Sequence, residues 1–341
     1  MSRGASVIVA GAGALGLSCA LALADAGCSV TLCDPLDAPQ ASAVAAGMLA
    51  PVFEVVLDGG GEADLALLLS ARNLWPALAA SSGVILDRAG TAAVGPEAWL
   101  AEVRARLLGF GLRGVELPRT MLDEMTPGVA PGLRALLVRE DWRLEPRAAL
   151  AALRAAAQAA GVQFRAETVR ERGAADWLVA ATGAARDLAP ELSRLAPIKG
   201  QILRYPGVRG GAVSLRSEGA YAVPGEGGLA LGATMEAGRA DTAVDRTSAA
   251  PLVRAGEALL PGLAGAAFEI SAGVRAATPD GLPLVGPSRE PGVIVAAGAR
   301  RNGWLLAPLV AQVVTAHVTG RDPGPYAARL DPARFAAGET A

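Results

Sequence analysis

Gly11, Gly13, Gly16 and Asp34 are the residues whose types and spacing most directly imply chemistry, and that chemistry is the binding of a dinucleotide. Gly11 permits a tight turn, Gly13 lets backbone approach a pyrophosphate, and Gly16 allows a helix and a strand to pack closely. The phosphates rest on the helix N-terminus, where unpaired N–H groups and the helix dipole favour anions. Asp34 lies 23 residues past Gly11, where an acid can accept hydrogen bonds from an adenosine ribose. Other chemistries are poorly provided for. His317 is the sole histidine and reads as the C-terminal residue of an apolar helix. Cys19, Cys28 and Cys33 all fall in the opening unit and read as small core residues in a reducing compartment. This inventory argues against a zinc site, any other metal site or a Ser-His-Asp hydrolase, and it assigns the demanding chemistry to a cofactor.

The elements that must position this turn follow from the local pattern. Val7 to Ala10 is an uncharged apolar run, as a strand buried on both faces would be, and it feeds directly into the glycines. Leu15 to Ala26 is Ala/Leu-rich and closed by Gly27, which suits a helix with a left-handed cap; Ser29 to Cys33 is a second strand. Residues 5 to 24 carry no charge, so a transmembrane helix or signal peptide is the competing reading. The glycines thin its hydrophobicity, no basic cluster flanks it beyond Arg3, and no cleavage pattern follows; Cys19 lacks the leucine of a lipoprotein site, Gly16 standing there. The expectation is a soluble cytoplasmic protein. With 52% hydrophobic and 19% charged residues and a net charge of −2, the chain offers no electrostatic case for nucleic acid or an anionic membrane. Lys199 is the only lysine, so each of the many arginines must be judged alone.

Along the chain, Ser42 to Pro51 is small-residue and apolar, suited to close passage beside a bulky ligand. A helix over Leu65 to Ala80 is predicted to be interrupted near Pro76, and Val84 to Gly95 to form a hairpin about Ala89-Gly90. A helix from Glu97 to Gly109 and a strand from Arg134 to Arg139 lie in an excursion into a second domain. A helix begins at Glu145-Pro146 and runs to Ala160, and the apolar stretch Trp177-Leu-Val-Ala-Ala-Thr-Gly183 reads as a strand running into a Thr-Gly turn, where small residues bring backbone close to the cofactor. Four short strands between Gln201 and Ala233 predict an antiparallel sheet. Thr247 to Leu260 is a helix and Phe268 to Arg275 a strand closing on a Thr278-Pro-Asp-Gly281 turn. Val293 to Ala297 is a buried strand followed by Gly298 to Gly303 and a helix from Trp304, and the tail from Arg321 reads as surface.

Taken together, the motifs resemble the D-amino-acid oxidase superfamily of FAD enzymes, and within it the glycine oxidases of thiazole (thiamine) synthesis. The resemblance spans residues 5 to 312. It rests on the glycine turn with Asp34, Ala45-Ala-Gly-Met-Leu-Ala-Pro51, Pro197-Ile-Lys-Gly-Gln201, Tyr221-Ala-Val-Pro224, Gly232-Ala-Thr-Met-Glu236, Val274-Arg-Ala-Ala-Thr-Pro-Asp-Gly-Leu-Pro283 and Arg301-Asn-Gly-Trp-Leu-Leu-Ala-Pro308. It implies an α/β fold, with a Rossmann-like FAD-binding domain from residues 1–83, 142–200 and 272–330. The implied second domain is an α+β substrate domain on an antiparallel sheet, from residues 84–141 and 201–271.

By the same resemblance, Arg275 anchors the substrate carboxylate, Arg301 is a second active-site arginine beside the flavin, and Tyr221 and Met235 line the pocket. Gly11, Gly13, Leu15, Gly16, Asp34, Ala46, Gly47, Met48, Thr182, Gly183, Arg301, Asn302, Gly303 and Trp304 are the implied cofactor contacts. Three positions depart from the family pattern: Gly225 where an arginine is usual, Ala276 where a proline is, and Ala299 where histidine is frequent. The implied reaction is oxidation of glycine or another small amine, by hydride transfer to noncovalently held FAD with oxygen as acceptor. The imine then hydrolyses to a 2-oxo acid and ammonia or feeds thiazole synthesis. A homo-oligomer is suggested by the same relatives. The rival readings are a D-amino-acid dehydrogenase or sarcosine-type oxidase, an NAD-dependent dehydrogenase drawn from the glycine turn alone, and a flavin-binding protein without catalysis.

Overall fold

The structure, a computed structural model, describes residues 4–35 and 40–338. Ser6–Ala10 and Ser29–Cys33 pair in parallel from Ser6↔Ser29 to Ala10↔Cys33, joined by the helix Ala14–Asp25, and Gly27 takes the left-handed conformation at φ 88°. These are central strands of a six-stranded sheet ordered Leu284–Pro287, Val293–Ala297, Trp177–Ala180, Ser6–Ala10, Ser29–Cys33, Gln163–Arg165. All neighbours are parallel except the Leu284–Pro287 edge. Such a sheet is buried on both faces, and Val9, Leu32, Val179 and Val295 are all wholly inaccessible. The helices Ala14–Asp25 and Gly303–Thr319 pack together over it. Because the strands run one way, the segments after their carboxyl ends gather along one edge of the sheet: Gly11 to Gly13, Asp34, Ala181 to Gly183 and Gly298 to Arg301.

The second sheet has nine strands and is built on Ala196–Pro206. This strand pairs antiparallel with Glu269–Ala277 from Ala196↔Ala277 to Arg204↔Glu269, and on its other edge with Gly228–Gly232 and Glu236–Ala237. Ala220–Gly225, Ser214–Ser217, Thr91–Gly95, Arg134–Val138 and Val115–Glu116 continue the sheet. Both Ala196–Pro206 and Glu269–Ala277 run through positions where the motif pattern places domain boundaries, 200/201 and 271/272. Arg275 accordingly lies inside its strand, two residues short of its end, because Ala276 and Ala277 extend the ladder without any propensity signal.

Three local expectations are corrected. Val84 to Gly95 is no hairpin. Thr91–Gly95 pairs with Arg134–Val138 and Ser214–Ser217, and Gly90 is needed because a Cβ there would lie 2.6 Å from the Val138 carbonyl oxygen, a tertiary demand that mimics a turn signal. Pro76 does not interrupt Glu62–Ser82, whose fully buried Trp75 donates to the Trp304 carbonyl at 3.1 Å; packing on the helix Gly303–Thr319 offsets the one lost backbone bond. The tail is not merely surface, since Leu330 is fully buried and the Tyr326 hydroxyl lies 2.8 Å from Ser70 Oγ. Pro51–Asp58, for which no element is predicted, is a helix ended by the left-handed Gly59 but with no side-chain cap of its own at the N-terminus.

That helix is capped from a distance. The buried Asp141 carboxylate accepts the first-turn N–H groups of Val52 at 2.8 Å and Phe53 at 3.1 Å. Burial raises its pKa to about 7, and those two N–H groups only partly oppose the rise. An acid whose folded pKa exceeds its unfolded one is bound to its proton more tightly in the folded state. Its stabilising contribution is therefore complete below the unfolded value near pH 4 and is lost as the pH rises through about 7. Asp141→Asn puts an amide NH2 where one accepting oxygen stood. We expect it to be less stable than wild type by about 1–3 kcal/mol at pH 5, in urea unfolding, with the gap narrowing by pH 8. A gap independent of pH would show that Asp141 does not titrate in this window.

Candidate active site

A cavity of about 390 Å³ opens between the Gly200/Gly273 face of the nine-stranded sheet and the segments 41–58, 99–106 and 301–304. Its walls bring together Arg275, Arg301, Tyr221 and Met235 with Ala46, Gly47, Met48, Asn302 and Trp304, residues that lie far apart in the chain. The two arginines have different surroundings. Arg301 Nε and Nη2 donate to Glu54 Oε1 at 2.9 and 2.6 Å, and Nη2 also pairs with Asp58. Burial alone would lower the Arg301 pKa, but Glu54 and Asp58 reverse this and raise it. Arg275 is half-buried, and its Nη1 reaches the Thr234 carbonyl at 3.2 Å and Met235 Sδ at 3.4 Å. Among the described residues it forms no ion pair, and burial lowers its pKa, with Tyr221 opposing and Arg301 reinforcing the shift. A guanidinium so placed is an available site for a carboxylate, whereas Arg301 is already neutralised by the protein.

Glycines make room for these side chains. A Cβ on Gly200 would lie 2.0 Å from Arg275 Nη1, and one on Gly232 would lie 2.3 Å from Tyr221 Oη. Arg275 and Tyr221 are thus laid across bare backbone. Burial pushes the Tyr221 hydroxyl above its ordinary pKa, with Arg275 and Arg216 partly opposing, so it remains a protonated donor at neutral pH. Arg216, Glu54 and Asp58 also line the cavity and were not found by sequence reasoning. Arg216 lies 4.0 Å from Glu54 and its guanidinium stands 5.9 Å from the Tyr221 ring centroid. Each of the three sits in an ordinary helical or strand context without a motif, so only the tertiary arrangement marks it.

The remaining expected residues lie along the carboxyl edge of the six-stranded sheet and at the start of the helix Gly303–Thr319. Gly11 takes φ 105°, and a Cβ there would meet the Ala181 carbonyl oxygen at 2.4 Å, so this turn abuts the segment leading to Thr182 and Gly183. Asp34 Oδ2 accepts the Ala12 N–H at 2.7 Å, which braces the turn from the end of the second strand. Gly13 precedes the helix Ala14–Asp25 and has no side chain to cap it; Ser42 Oγ caps it from a distance, accepting the Ala14 N–H at 3.0 Å. Leu15 is half-buried and packs into the core behind the turn. At Gly303 the helix Gly303–Thr319 also begins without a side-chain cap, and nothing lies within 4 Å of where a Cβ would be. Trp304 fixes that end through its indole N–H to the Ser42 carbonyl, 3.0 Å away. The bare backbone at Gly13 before the helix Ala14–Asp25, the helix end at Gly303 with its open backbone and no side-chain cap, and the 390 Å³ cavity fit the pyrophosphate and ring system of FAD. A Cβ on Gly16 would fall 1.9 Å from the Gly11 carbonyl oxygen, which is backbone and cannot yield cheaply. We expect Gly16→Ala to lose bound dinucleotide on gel filtration and to be destabilised by about 1–3 kcal/mol, as overpacking is; retained cofactor at wild-type stability would contradict this geometry.

The family model described as FAD dependent oxidoreductase matches residues 6–317. A Caulobacter vibrioides protein named tRNA 5-methylaminomethyl-2-thiouridine biosynthesis bifunctional protein MnmC is 33% identical over 93% of this chain and 55% of its own length. The chain therefore spans about half the length of several of the relatives it matches. The putative thiamine biosynthesis oxidoreductase ThiO of Rhizobium etli is 31% identical, over 89% of this chain and 94% of its own. Glycine oxidase from Geobacillus kaustophilus superposes with a TM-score of 0.84 at 26% identity, covering 98% of this chain and 99% of that one. The fold, the glycine turn and these matches agree: this chain belongs to the FAD-dependent oxidoreductase family and uses FAD.

Proposed function

We propose that the protein oxidises a small amino acid, glycine or its N-methyl derivative, to the imine. The reading is carried by Arg275, a cavity-wall guanidinium that among the described residues pairs with no carboxylate, while Arg301 is paired with two. Arg275 binds the substrate carboxylate bidentately, and this fixes the orientation of the substrate carbon. Tyr221 supplies a neutral hydroxyl beside it. No histidine or lysine lines the cavity, and of its carboxylates Glu54 and Asp58 are engaged by Arg301; in this reading the substrate enters with its amine already unprotonated and no side-chain base is assigned. FAD, when bound, accepts the hydride from the substrate carbon. The imine leaves to be hydrolysed to a 2-oxo acid, with ammonia released from glycine or methylamine from its N-methyl derivative, or the glycine imine passes to thiazole synthesis. Oxygen is proposed as the final acceptor; reduction of a quinone without oxygen uptake would instead mark a dehydrogenase. The proposal includes a cytoplasmic location, a homo-oligomer, and the division into an FAD-binding part and a substrate-binding part at the boundaries given above. No helix among the described residues is long and apolar enough to cross a membrane.

A second reading is favoured by the name of the Caulobacter vibrioides relative: the oxidised amine is carried on tRNA. Flavin bleaching by an aminomethyl-uridine tRNA, but not by glycine, would select it.

Anaerobic glycine should bleach the holoenzyme flavin. Losing a buried charged partner costs on the order of 2–5 kcal/mol, so Arg275→Ala should raise the apparent dissociation constant for glycine at least ~30-fold with FAD retained. Arg301→Ala should raise it less. Stopped-flow reduction of both variants checks this ranking, and the reverse order would return Arg275 to a structural role.

The FAD is proposed to be noncovalent, because the cysteines lie in the opening unit and His317 is 14 residues along the helix from Gly303, about 21 Å at 1.5 Å per residue. Acid precipitation should leave the yellow colour in the supernatant; a yellow pellet means a covalent link.

A further inference from the structure

The motif Pro197-Ile-Lys-Gly-Gln201 contributes Gly200 to the cavity, but its two polar residues point the other way. On Ala196–Pro206 successive side chains alternate between faces. Ile198, Gly200 and Ile202 share the face of their ladder partners Arg275, Gly273 and Ser271. Lys199 and Gln201 lie on the opposite face, and both are fully buried. A buried amide and a buried ammonium are costly unless their hydrogen bonds are made, so what they hold is informative.

Gln201 holds the segment that carries the Arg275 acceptors. Its Nε2, with two hydrogens to donate, lies within hydrogen-bond reach of three acceptors, Glu236 Oε1 at 3.0 Å, the Asp245 carbonyl at 3.1 Å and Ser248 Oγ at 2.6 Å, and its Oε1 accepts the Asp245 N–H at 2.7 Å. Its backbone N–H donates to Thr234 Oγ1 at 2.9 Å, and its carbonyl accepts the Thr234 N–H at 3.1 Å. Thr234 Oγ1 in turn donates to Glu236 Oε1 at 2.9 Å, closing the network. Thr234 is thereby fixed at its N–H, its hydroxyl and, through Glu236, its downstream neighbour. The atom left over is its carbonyl oxygen, which receives Arg275 Nη1. Lys199 restrains the far end of the same segment through Nζ to Asp241 Oδ1 at 2.8 Å, and Asp241 also accepts from Arg239 Nε at 2.7 Å.

We propose that Gln201 is a positioning residue for substrate: it sets the direction of the Arg275 guanidinium by fixing Thr234, on the face of the sheet that substrate never touches. The inference rests on the reading of Arg275 as the carboxylate anchor. Gly200 lets the guanidinium lie flat on the strand, and the next residue along determines which way its donors point.

The test uses holoenzyme and two probes: glycine, followed by flavin bleaching, and glycolate, a carboxylate without an amine, followed by its perturbation of the flavin spectrum. Gln201→Leu should weaken both about 10-fold while FAD content stays at wild type. Thr234→Val, which keeps side-chain volume on a half-exposed residue, should act in the same direction and decides the matter if Gln201→Leu does not fold. In an Arg275→Ala background Gln201→Leu should add less than about 2-fold, because a residue that acts through the guanidinium has nothing left to orient. Equal effects in the two backgrounds, or unchanged glycolate affinity in both Gln201→Leu and Thr234→Val, overturn the proposal and leave Arg275 as anchor. Wild-type glycolate affinity in Arg275→Ala alone overturns the anchor itself, and the proposal with it.

Discussion

The antiparallel ladder between Ala196–Pro206 and Glu269–Ala277 is the constraint on which the site depends. Its register sets Gly200 directly opposite Gly273, so one patch of the sheet has no side chains at all. On one half of that patch lies the Arg275 guanidinium; against the other lie Ala41 and Val44, from the segment that follows the nucleotide unit, at 3.3–3.4 Å from where a Gly273 Cβ would be. A slip by one residue would turn Arg275 to the opposite face and put Val274 toward the cavity. The ladder thus aligns the nucleotide-binding sheet, the cavity floor and the anchor in one step.

Charge in the cavity is sorted by neighbours rather than by residue type. Arg301 and Arg275 both line the cavity, yet only Arg301 faces a helix that presents carboxylates at a four-residue spacing, Glu54 and Asp58. That helix is held in place by Asp141, which is followed by the short pairing of Trp142 and Arg143 with Leu49 and Met48. The chain returns to this point from the substrate side and there secures both the strand that lines the cavity and the helix that neutralises Arg301.

Much of this was legible in the sequence wherever the determining interactions were local. The opening strand–turn–helix–strand unit, the helix Glu97–Gly109 and the buried strand Val293–Ala297 are each specified by a run of apolar residues with its own stop signal. The motif pattern named residues that the fold does bring to one cavity, including Arg275, Tyr221 and Met235. What could not be read was set by distant partners. The cap of Pro51–Asp58 lies 89 residues from Val52, Gly90 answers a strand 48 residues on, and Pro76 is tolerated because of Trp304. The different states of Arg275 and Arg301 depend on Glu54 and Asp58, which no motif singles out.

The burial of Lys199 has a practical side. As the only lysine, it is the only side-chain amine in the protein, and in the folded state it is inaccessible and engaged with Asp241. Amine-directed acylating reagents therefore find no lysine target on the native surface, which makes the molecule unusually resistant to random conjugation. Conversely, acylation at Lys199 can occur only when the segment around Asp241 lifts from the sheet, so the rate of that single modification is a built-in clock for opening beneath the cavity floor.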